Sequence, residues 1–468
     1  MDACPQLPST GGKHLGTRRR AGLPCLVAVL VAATACGGTG GEPWQTAQAD
    51  GALGAIPRLA DADVIVISFD ALRADALGNY GSERGASPNM DAFAGGSIVF
   101  ENAYTASPIT PTSFAAFFSA MHSMKVFHSW HFDPPTSLAE RFSAAGYRTA
   151  AFLNNVQLTA ERGFDRGFAE YEWRMNAPDE EVVTEAIDWL ERNAPSEQPL
   201  FLWLHLLRPH APYRARPEAS HLYRDPSYDG AFTRTSGIKF EASDPRDVAR
   251  LEDLYAGEVW TADGLFGELV SFLRRSGLLD SAIVVLTADH GEEFMEHGAF
   301  QHSRLYEEHL RIPLVLHHPK VGPRRVSTRA RSVDLMPTLL ALIGHPLETE
   351  VDGIDLASAE LEPQRPPPVI ASITTDQVLV SVRDGDEKLI VTCHPNVGVE
   401  LYDLAADPAE LVDLASQQER NVRRLVRELH SHLGGSPCRT ADLARRDWER
   451  SEVDPETLEG LRSLGYVR

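Results

Sequence analysis

The chain has 468 residues, and its 66 Asp and Glu residues outnumber its 44 Lys and Arg residues, which gives a formal net charge of −22. This acidic balance excludes general nucleic-acid binding, because that function needs a basic face. The length and a hydrophobic content of 43% allow one large α/β domain with a smaller one, or two to three ordinary domains.

The N-terminal segment resembles a bacterial lipoprotein signal. Three arginines at positions 18–20 precede an apolar run, residues 23–35, that is too short to be a comfortable membrane span. The run ends at Cys36, so we expect cleavage before this residue and a lipid on its sulfur; an ordinary secretory signal is the alternative. Residues 1–35 are thus predicted to be a signal peptide and residues 36–57 a tether. The mature protein is predicted to be exported and membrane-anchored, in the periplasm or at the cell surface.

The remaining cysteines carry little further information. Cys4 and Cys25 would leave with the signal, and Cys393 and Cys438 could pair in an exported protein. The chain has no Cys-x-x-Cys motif or Cys/His cluster, so a thiolate zinc site is disfavoured.

Short β-branched runs alternate with amphipathic segments through most of the chain, which predicts a doubly wound α/β fold. The predicted strands are residues 64–68, 98–100, 147–153, 199–205, 282–287 and 313–316. The predicted helices are a segment that follows residue 110 and residues 137–145, 180–193, 249–275 and 333–343. Residues 214–248 are polar and aromatic, and we expect a surface insertion there.

A change of composition at the proline-rich residues 363–368 marks a predicted domain boundary. Beyond it, residues 378–382 and 389–391 flank a turn and predict a β-hairpin, and residues 417–432 predict a helix. We therefore expect a catalytic domain at 58–362 and a smaller C-terminal α+β subdomain at 363–468.

Residues 107–113 form a hydroxyl-rich loop that leads into a helix. Thr110 or Thr112 could cap this helix, and Pro111 suits its first turn. A hydroxyl at a helix N-terminus also lies where free N–H groups favour an anion, which suits a nucleophile that attacks a phosphate or sulfate ester. At this point Thr110 is either a nucleophile or only an N-cap.

Further polar residues follow the predicted strands. In open α/β sheets the carboxyl ends of the strands are where ligands bind. Carboxylates and an imidazole at this edge could hold a divalent metal, and a threonine oxygen on the metal would lose its proton more easily. Each candidate also has a purely structural alternative: a helix cap for Asp70, a plain turn for the pair Asp289-His290, and a loop brace for His210, which lies between prolines. The candidates are Asp70, Thr110, His210, Asp289, His290 and, in a polar turn, His302.

These residues belong to a series of ordered motifs in which the chain resembles the sulfatase family of the alkaline-phosphatase superfamily, from about residue 61 to the C-terminus. The motifs lie at residues 64–81, 87–91, 145–149, 163–168, 209–213, 288–292, 305–313, 334–338, 401–408 and 461–466. The resemblance implies an α/β/α sandwich around a mixed, mostly parallel sheet, with a smaller C-terminal subdomain that contains an antiparallel sheet. It also implies one divalent metal ion. The implied metal ligands are Asp70, Thr110, Asp289 and His290. The expected contacts to the substrate's anionic group are His210 and His302, with Arg73 of the first motif as a further substrate-binding residue.

Three departures from the family pattern concern the nucleophile. Thr110 stands where typical sulfatases have the cysteine that matures to formylglycine, and threonine cannot undergo this change. Phe114 replaces the arginine of that motif, and Ala71 replaces a second metal-binding aspartate. The resemblance therefore favours the threonine-nucleophile branches of the superfamily, which act on phosphorus centres.

Other departures concern the metal and the substrate contacts. His290 replaces the usual asparagine, and a nitrogen ligand favours Mn²⁺ or Zn²⁺ over Ca²⁺. His302 stands where many sulfatases have lysine, and Asn154 and Asn155 lie near the place of an absent Gly-Lys-Trp-His segment. A second metal at His297 or His302 is disfavoured because its further ligands are not evident. Four histidines are taken as ordinary surface or core residues: His297, His309, His317 and His318.

The sequence thus predicts a metal-dependent hydrolase of sulfate or phosphate esters in which Thr110 is the metal-activated catalytic nucleophile, with His210 and His302 as further catalytic residues. One alternative is a phosphoryl-group transferase that modifies envelope glycans or lipids. Another is a catalytically inactive relative that binds anionic glycans, because Phe114 and Ala71 replace functional residues. The expected partners are an anionic ester, with a glycan or lipid head group as its organic part, and a membrane reached through the lipid anchor.

Overall fold

A computed structural model describes residues 56–439, except 176, 195, 236–243, 348, 359–365 and 376. The predicted signal peptide, Cys36, most of the predicted tether, the boundary at 363 and the C-terminal motif at 461–466 lie outside the described residues. Within the described ranges, no helix has both the length and the apolar character that crossing a membrane requires.

The core of the molecule is an eight-stranded sheet. Its strands are β1 (Val64–Asp70), β2 (Ile98–Phe100), β3 (Arg148–Leu153), β4 (Glu170–Trp173), β5 (Leu200–Pro209), β6 (Ile283–Ala288), β7 (Leu314–His317) and β8 (Arg324–Val326). They lie in the order β8-β2-β7-β6-β1-β5-β3-β4, and only β7 runs antiparallel to its neighbours. The central strand β1 is buried along its whole length, as expected for an apolar run in a parallel sheet. The mixed, mostly parallel sheet is confirmed.

The described residues include eight α-helices. They are α1 (Pro88–Gly95), α2 (Thr110–Ser119), α3 (Leu138–Ala144), α4 (Asp179–Asn193), α5 (Pro245–Arg275), α6 (Glu307–Leu310), α7 (Leu335–Leu342) and α8 (Glu419–Leu433). Helices α1, α4 and α5 form one packed group and α2, α3 and α7 another; members of both groups contact β3. Helix α5 begins at Pro245 instead of the predicted residue 249, because the Asp244 side chain caps it by accepting the N–H of Arg246.

The start of α2 corrects one of the sequence interpretations. Thr110 is the first helical residue, and the N-cap is Ile109, which offers no side-chain cap. The Thr112 hydroxyl donates to the Ile109 carbonyl and also contacts the Ser107 hydroxyl. Neither threonine caps the helix through its side chain, so the interpretation of Thr110 as only an N-cap is wrong.

The C-terminal part is a four-stranded antiparallel sheet with one helix. Its strands are β9 (Val369–Thr374), β10 (Val378–Asp384), β11 (Glu387–His394) and β12 (Gly398–Asp403). Leu425, Leu429 and Leu433 recur at the spacing of one face of α8 and pack on this sheet. Cys393 and Cys438 form a disulfide. The smaller α+β subdomain is thus confirmed, and the pairing that the sequence left open is present.

Candidate metal and nucleophile site

Three neighbouring parallel strands bring the predicted site together. Strand β1 lies between β5 and β6, and its last residue is Asp70. Asp289 and His290 follow β6, and α2 brings Thr110 to the same edge. His290 Nε2 lies 3.3 Å from Thr110 Oγ1, 3.6 Å from Asp70 Oδ1 and 3.4 Å from Asp289 Oδ2. The four predicted metal ligands therefore form one cluster.

Each of the two carboxylates has one oxygen held in place and one oxygen with no hydrogen-bond partner. Asp289 Oδ1 accepts the N–H groups of Ala71 and His290, at 3.1 Å and 2.8 Å. Asp70 Oδ2 accepts from the Asn155 side-chain amide at 2.5 Å. Asp70 Oδ1 and Asp289 Oδ2 are buried without a partner. Unpaired buried carboxylate oxygens are costly, so these two atoms indicate a cation site.

His205, which no sequence motif marked as a site residue, also lies in this cluster. Its Nε2 is buried without a hydrogen-bond partner, 3.8 Å from Asp70 Oδ2, and the imidazole forms one metal-competent group with Asp70 and Asp289. Its Nδ1 is 3.1 Å from Ser68 Oγ, whose own proton is directed to the Leu204 carbonyl. The hydroxyl therefore accepts from Nδ1–H, which leaves a lone pair on Nε2 facing the carboxylates.

His290 is held in the same tautomer. Its Nδ1 donates to the Gly291 carbonyl at 2.9 Å, so its Nε2 also presents a lone pair to the carboxylates. Burial, and after it the Asp70 carboxylate, raise the pKa of Asp289 well above its ordinary value. A divalent cation among two carboxylate oxygens and two imidazole nitrogens would offset this repulsion. The donor set fits a divalent metal ion, and its nitrogen content suits Mn²⁺ or Zn²⁺.

A comparison with known protein families assigns the chain to one of them. A profile of the family described as Sulfatase matches residues 62–345.

The chain belongs to the sulfatase family.

Two relatives and one solved structure illustrate the family match. The chain is 25% identical to the choline-sulfatase of Rhizobium meliloti (strain 1021) over 432 residues, 75% of this chain and 82% of that protein. It is 28% identical to arylsulfatase K of Xenopus laevis over 313 residues, 55% of this chain but only 56% of that protein, so this match spans little more than half of the relative. The structure of the phosphonate monoester hydrolase of Agrobacterium radiobacter matches with a TM-score of 0.67 at 19% identity, over 80% of this chain and 96% of that one. Family membership places the chain among hydrolases that act on sulfuric and phosphoric ester bonds.

One departure from the sulfatase pattern, Phe114, is in direct contact with His205. Phe114, at the position of the motif arginine, is buried, and its ring centroid lies 4.8 Å from that of His205 in an edge-on arrangement. It also packs on Trp203, whose indole N–H donates to the Ser68 hydroxyl. The aromatic ring therefore supports the imidazole and does not act as an anion contact.

His210 and His302 form a pair beside this sulfatase centre. His210 Nδ1 donates to the Ala211 carbonyl at 2.6 Å, and His302 Nδ1 donates to the Pro108 carbonyl at 2.8 Å. Their Nε2 atoms are 3.1 Å apart, which is within hydrogen-bond distance. Burial, together with His290 and His210, holds the pKa of His302 well below its ordinary value, which favours the neutral form of His302.

Arg73 lies apart from the clustered ligands. Its guanidinium donates to Asp75, to Glu296 and to the Glu292 carbonyl. It lines an open cavity of about 620 Å³ whose walls include none of Asp70, Thr110, Asp289 or His290. Its role in substrate binding stays a prediction.

A separate narrow cleft lies beside Thr110. It is lined by Ile109, Thr112, Trp130 and Thr374, together with four further residues. Trp130 and the preceding Ser129 form the tip of a hairpin between the short strands Phe127–His128 and His131–Phe132, and both have left-handed backbone angles, with φ of 60° and 50°. Strained positions of this kind cluster at binding sites, because the surrounding structure must hold them.

Proposed function

We propose that the chain is a metal-dependent ester hydrolase in which Thr110 is the nucleophile and the preferred substrate is a phosphoester or phosphonate. The observation that supports it most is the position of the Thr110 hydroxyl. It is completely buried, lies 3.3 Å from His290 Nε2 and is surrounded by carboxylate oxygens that lack hydrogen-bond partners. A hydroxyl kept only to start the helix would cap it, whereas this hydroxyl faces His290 and Asp289 and caps nothing.

The residues around Thr110 prepare it for attack. Its hydroxyl has two acceptors beside it, His290 Nε2 and the Asp289 carboxylate, and these keep the oxygen turned into the site. Asp70, His205, Asp289 and His290 would hold a divalent ion, which would lower the pKa of a coordinated hydroxyl and offset the charge of an anionic ester. The Thr110 oxygen forms a bond to phosphorus or sulfur as its proton passes to the Asp289 carboxylate and the ester oxygen leaves. In a second step water attacks the transferred group, its bond to the Thr110 oxygen breaks, and Thr110 regains its proton.

The leaving oxygen needs a proton, and the histidine pair can supply it. The carbonyl groups of Ala211 and Pro108 fix both rings with Nε2 directed at each other. We assign the general-acid role to His210, which would pass a proton to the leaving oxygen, with the neutral His302 as its hydrogen-bond partner.

A substrate panel tests the choice between phosphorus and sulfur. Aryl sulfate, phosphate monoester, phosphodiester and phosphonate substrates are assayed with Ca²⁺, Mn²⁺ and Zn²⁺. We expect a phosphorus substrate with Mn²⁺ or Zn²⁺ to exceed the aryl sulfate in kcat/KM by at least about tenfold, because threonine lacks the aldehyde chemistry of formylglycine. Thr110→Ala protein from the same purification provides the background rate. Aryl sulfate hydrolysis that equals or exceeds every phosphorus substrate would contradict the preference.

We also propose that the protein is exported and carries a lipid on Cys36. The disulfide between Cys393 and Cys438 supports an oxidising compartment, because such bonds persist outside the cytosol. Cys36→Ser is expected to move the protein from the membrane fraction to the soluble fraction, with activity per molecule unchanged. Cys25→Ser is the matched control and leaves the distribution as it is. Equal membrane retention of both variants contradicts the anchor.

A further inference from the structure

A second, largely buried group of imidazoles and carboxylates combines residues that follow the Asp289-His290 pair with residues of helix α6 and the C-terminal subdomain. We propose that this group binds a second divalent cation, which serves as a structural ion. We name it the Glu308 cluster: Glu308, His297, His309, Glu293 and Glu410. Glu308 Oε1 lies 3.5 Å from His297 Nε2 and 3.8 Å from His309 Nε2, and His309 Nε2 lies 3.1 Å from Glu293 Oε2. The cluster shares no residue with the catalytic group.

The Glu308 carboxylate is the feature that points to an ion. Its side chain is 9% exposed, and Oε1 is buried without a hydrogen-bond partner. Within the described part of the chain the imidazoles of His297 and His309 lie within ion-pair distance of this carboxylate, and no lysine or arginine does. The nearby carboxylates of Glu296, Glu410 and Glu293 add negative charge around it. Burial raises the pKa of Glu308 to about 8, which reflects the cost of leaving this carboxylate charged and uncompensated. A cation at Oε1 removes that cost.

The nearby lysine and arginine pair with other carboxylates of the cluster. Lys388 Nζ lies 2.8 Å from Glu410 Oε1, and Arg304 Nε lies 4.0 Å from Glu293 Oε2. They neutralise the outer carboxylates of the group but do not reach Glu308. The uncompensated carboxylate is therefore that of Glu308, whose Oε1 lies near both imidazoles.

The separations fit a small first-row ion. Ligands bound to one ion at about 2.0–2.2 Å lie roughly 3–4 Å from one another. In the cluster, two imidazole nitrogens lie 3.1–3.8 Å from the carboxylate oxygens of Glu308 and Glu293. The atoms of His297, Glu308 and Glu410 lie within 4.8 Å of one another, as do those of Glu293, Glu308 and His309. Imidazole together with carboxylate favours Zn²⁺ or Mn²⁺ over Ca²⁺.

An ion at this place would hold the catalytic loop. The Gly291 N–H donates to the His309 carbonyl at 2.8 Å, and the Glu292 N–H donates to the Glu308 carbonyl at 3.1 Å. A side chain at position 291 would meet the Glu308 carbonyl oxygen at 1.9 Å, so the glycine permits this close contact. The segment directly after His290 therefore rests on the backbone of the two residues whose side chains would bind the ion, while Glu410 adds a ligand from the C-terminal subdomain.

Metal analysis separates the two sites. In the full-length protein, Asp289→Asn disables the catalytic site, and Zn²⁺ titration of this variant by calorimetry probes the Glu308 cluster alone. We expect one bound Zn²⁺ per chain in Asp289→Asn and none in the double variant with Glu308→Gln. Inductively coupled plasma mass spectrometry of Zn²⁺-loaded proteins should find two ions in wild type and one in Glu308→Gln. Glu191→Gln, on the exposed side of α4, is the matched control and keeps two.

A stability measurement extends the test to proteins of low yield. Chelation should lower the unfolding temperature of Asp289→Asn by several degrees and leave the double variant unchanged, because only the first has a structural ion to lose. If Asp289→Asn binds no Zn²⁺ and does not respond to the chelator, the Glu308 cluster is a hydrogen-bonded network without a metal and the proposal is overturned. His297→Gln in the same background gives an independent variant should Glu308→Gln fail to fold; unchanged Zn²⁺ binding in it also contradicts the proposal.

Discussion

Replacing Thr110 with alanine is expected to lower kcat by at least about 10³-fold while the catalytic metal stays bound, because the substitution removes the attacking oxygen but keeps the carboxylate and imidazole ligands. Thr110→Ser should retain measurable turnover, since it preserves the hydroxyl. Steady-state kinetics with the best substrate of the panel, together with metal content for each variant, provide the measurement.

The control for this experiment lies on the same helix. Ser119→Ala removes a buried hydroxyl whose bonds go to the Ala115 and Met121 backbone, so it reproduces the loss of a hydroxyl from α2 without touching the site. Its kcat should stay within about twofold of wild type. If Thr110→Ala keeps more than a tenth of the wild-type rate, Thr110 is not the nucleophile, and the oxygen that attacks must come from water.

Replacing His205 with alanine should weaken binding of the catalytic metal by at least about 100-fold, because loss of a residue that only orients a ligand already costs 10- to 100-fold. The reason is the lone pair on Nε2, which the Ser68 hydroxyl directs toward Asp70 and Asp289. Mn²⁺ and Zn²⁺ affinities measured by calorimetry in a Glu308→Gln background report on the catalytic site alone.

The solvent-exposed His131 provides the control, because His131→Ala removes an imidazole far from any carboxylate pair of the site. Its metal affinity should equal that of wild type. An unchanged affinity in His205→Ala would show that this imidazole is a packing residue and that the ligand set is limited to the residues expected from the family. A catalytically inactive relative that only binds glycans predicts no metal in either variant.

Much of the fold follows from local patterns in the chain. Apolar β-branched runs are buried on both faces of a parallel sheet, so strands such as β1 and β6 were predictable to within two residues. The carboxyl edge of the sheet then follows from the alternation with helices, which is why Asp70 and Asp289 could be placed in one site. One predicted helix boundary was wrong because a capping side chain decides it. The Asp244 carboxylate caps α5, so this helix begins four residues before the predicted start.

The site was less predictable where tertiary packing decides the role of a residue. His205 lies in an otherwise apolar run and could equally have been a core histidine; only the register of β5 against β1, with His205 opposite Ser68, fixes its tautomer and direction. A histidine in a buried strand next to the strand that ends at Asp70 was the available signal. Glu308 and Glu410 are 102 positions apart, and their approach depends on how the C-terminal sheet packs, which no local pattern reports.

The contact between Phe114 and His205 makes the contribution of each residue depend on the other. The ring supports the imidazole edge-on, so the benefit of either residue depends on the presence of the other. A guanidinium restored at position 114 would lie against a metal-directed imidazole, and an aliphatic residue at 205 would leave the ring beside an incomplete ligand set. The two positions should therefore be energetically coupled, so that the cost of replacing both differs from the sum of the two single replacements.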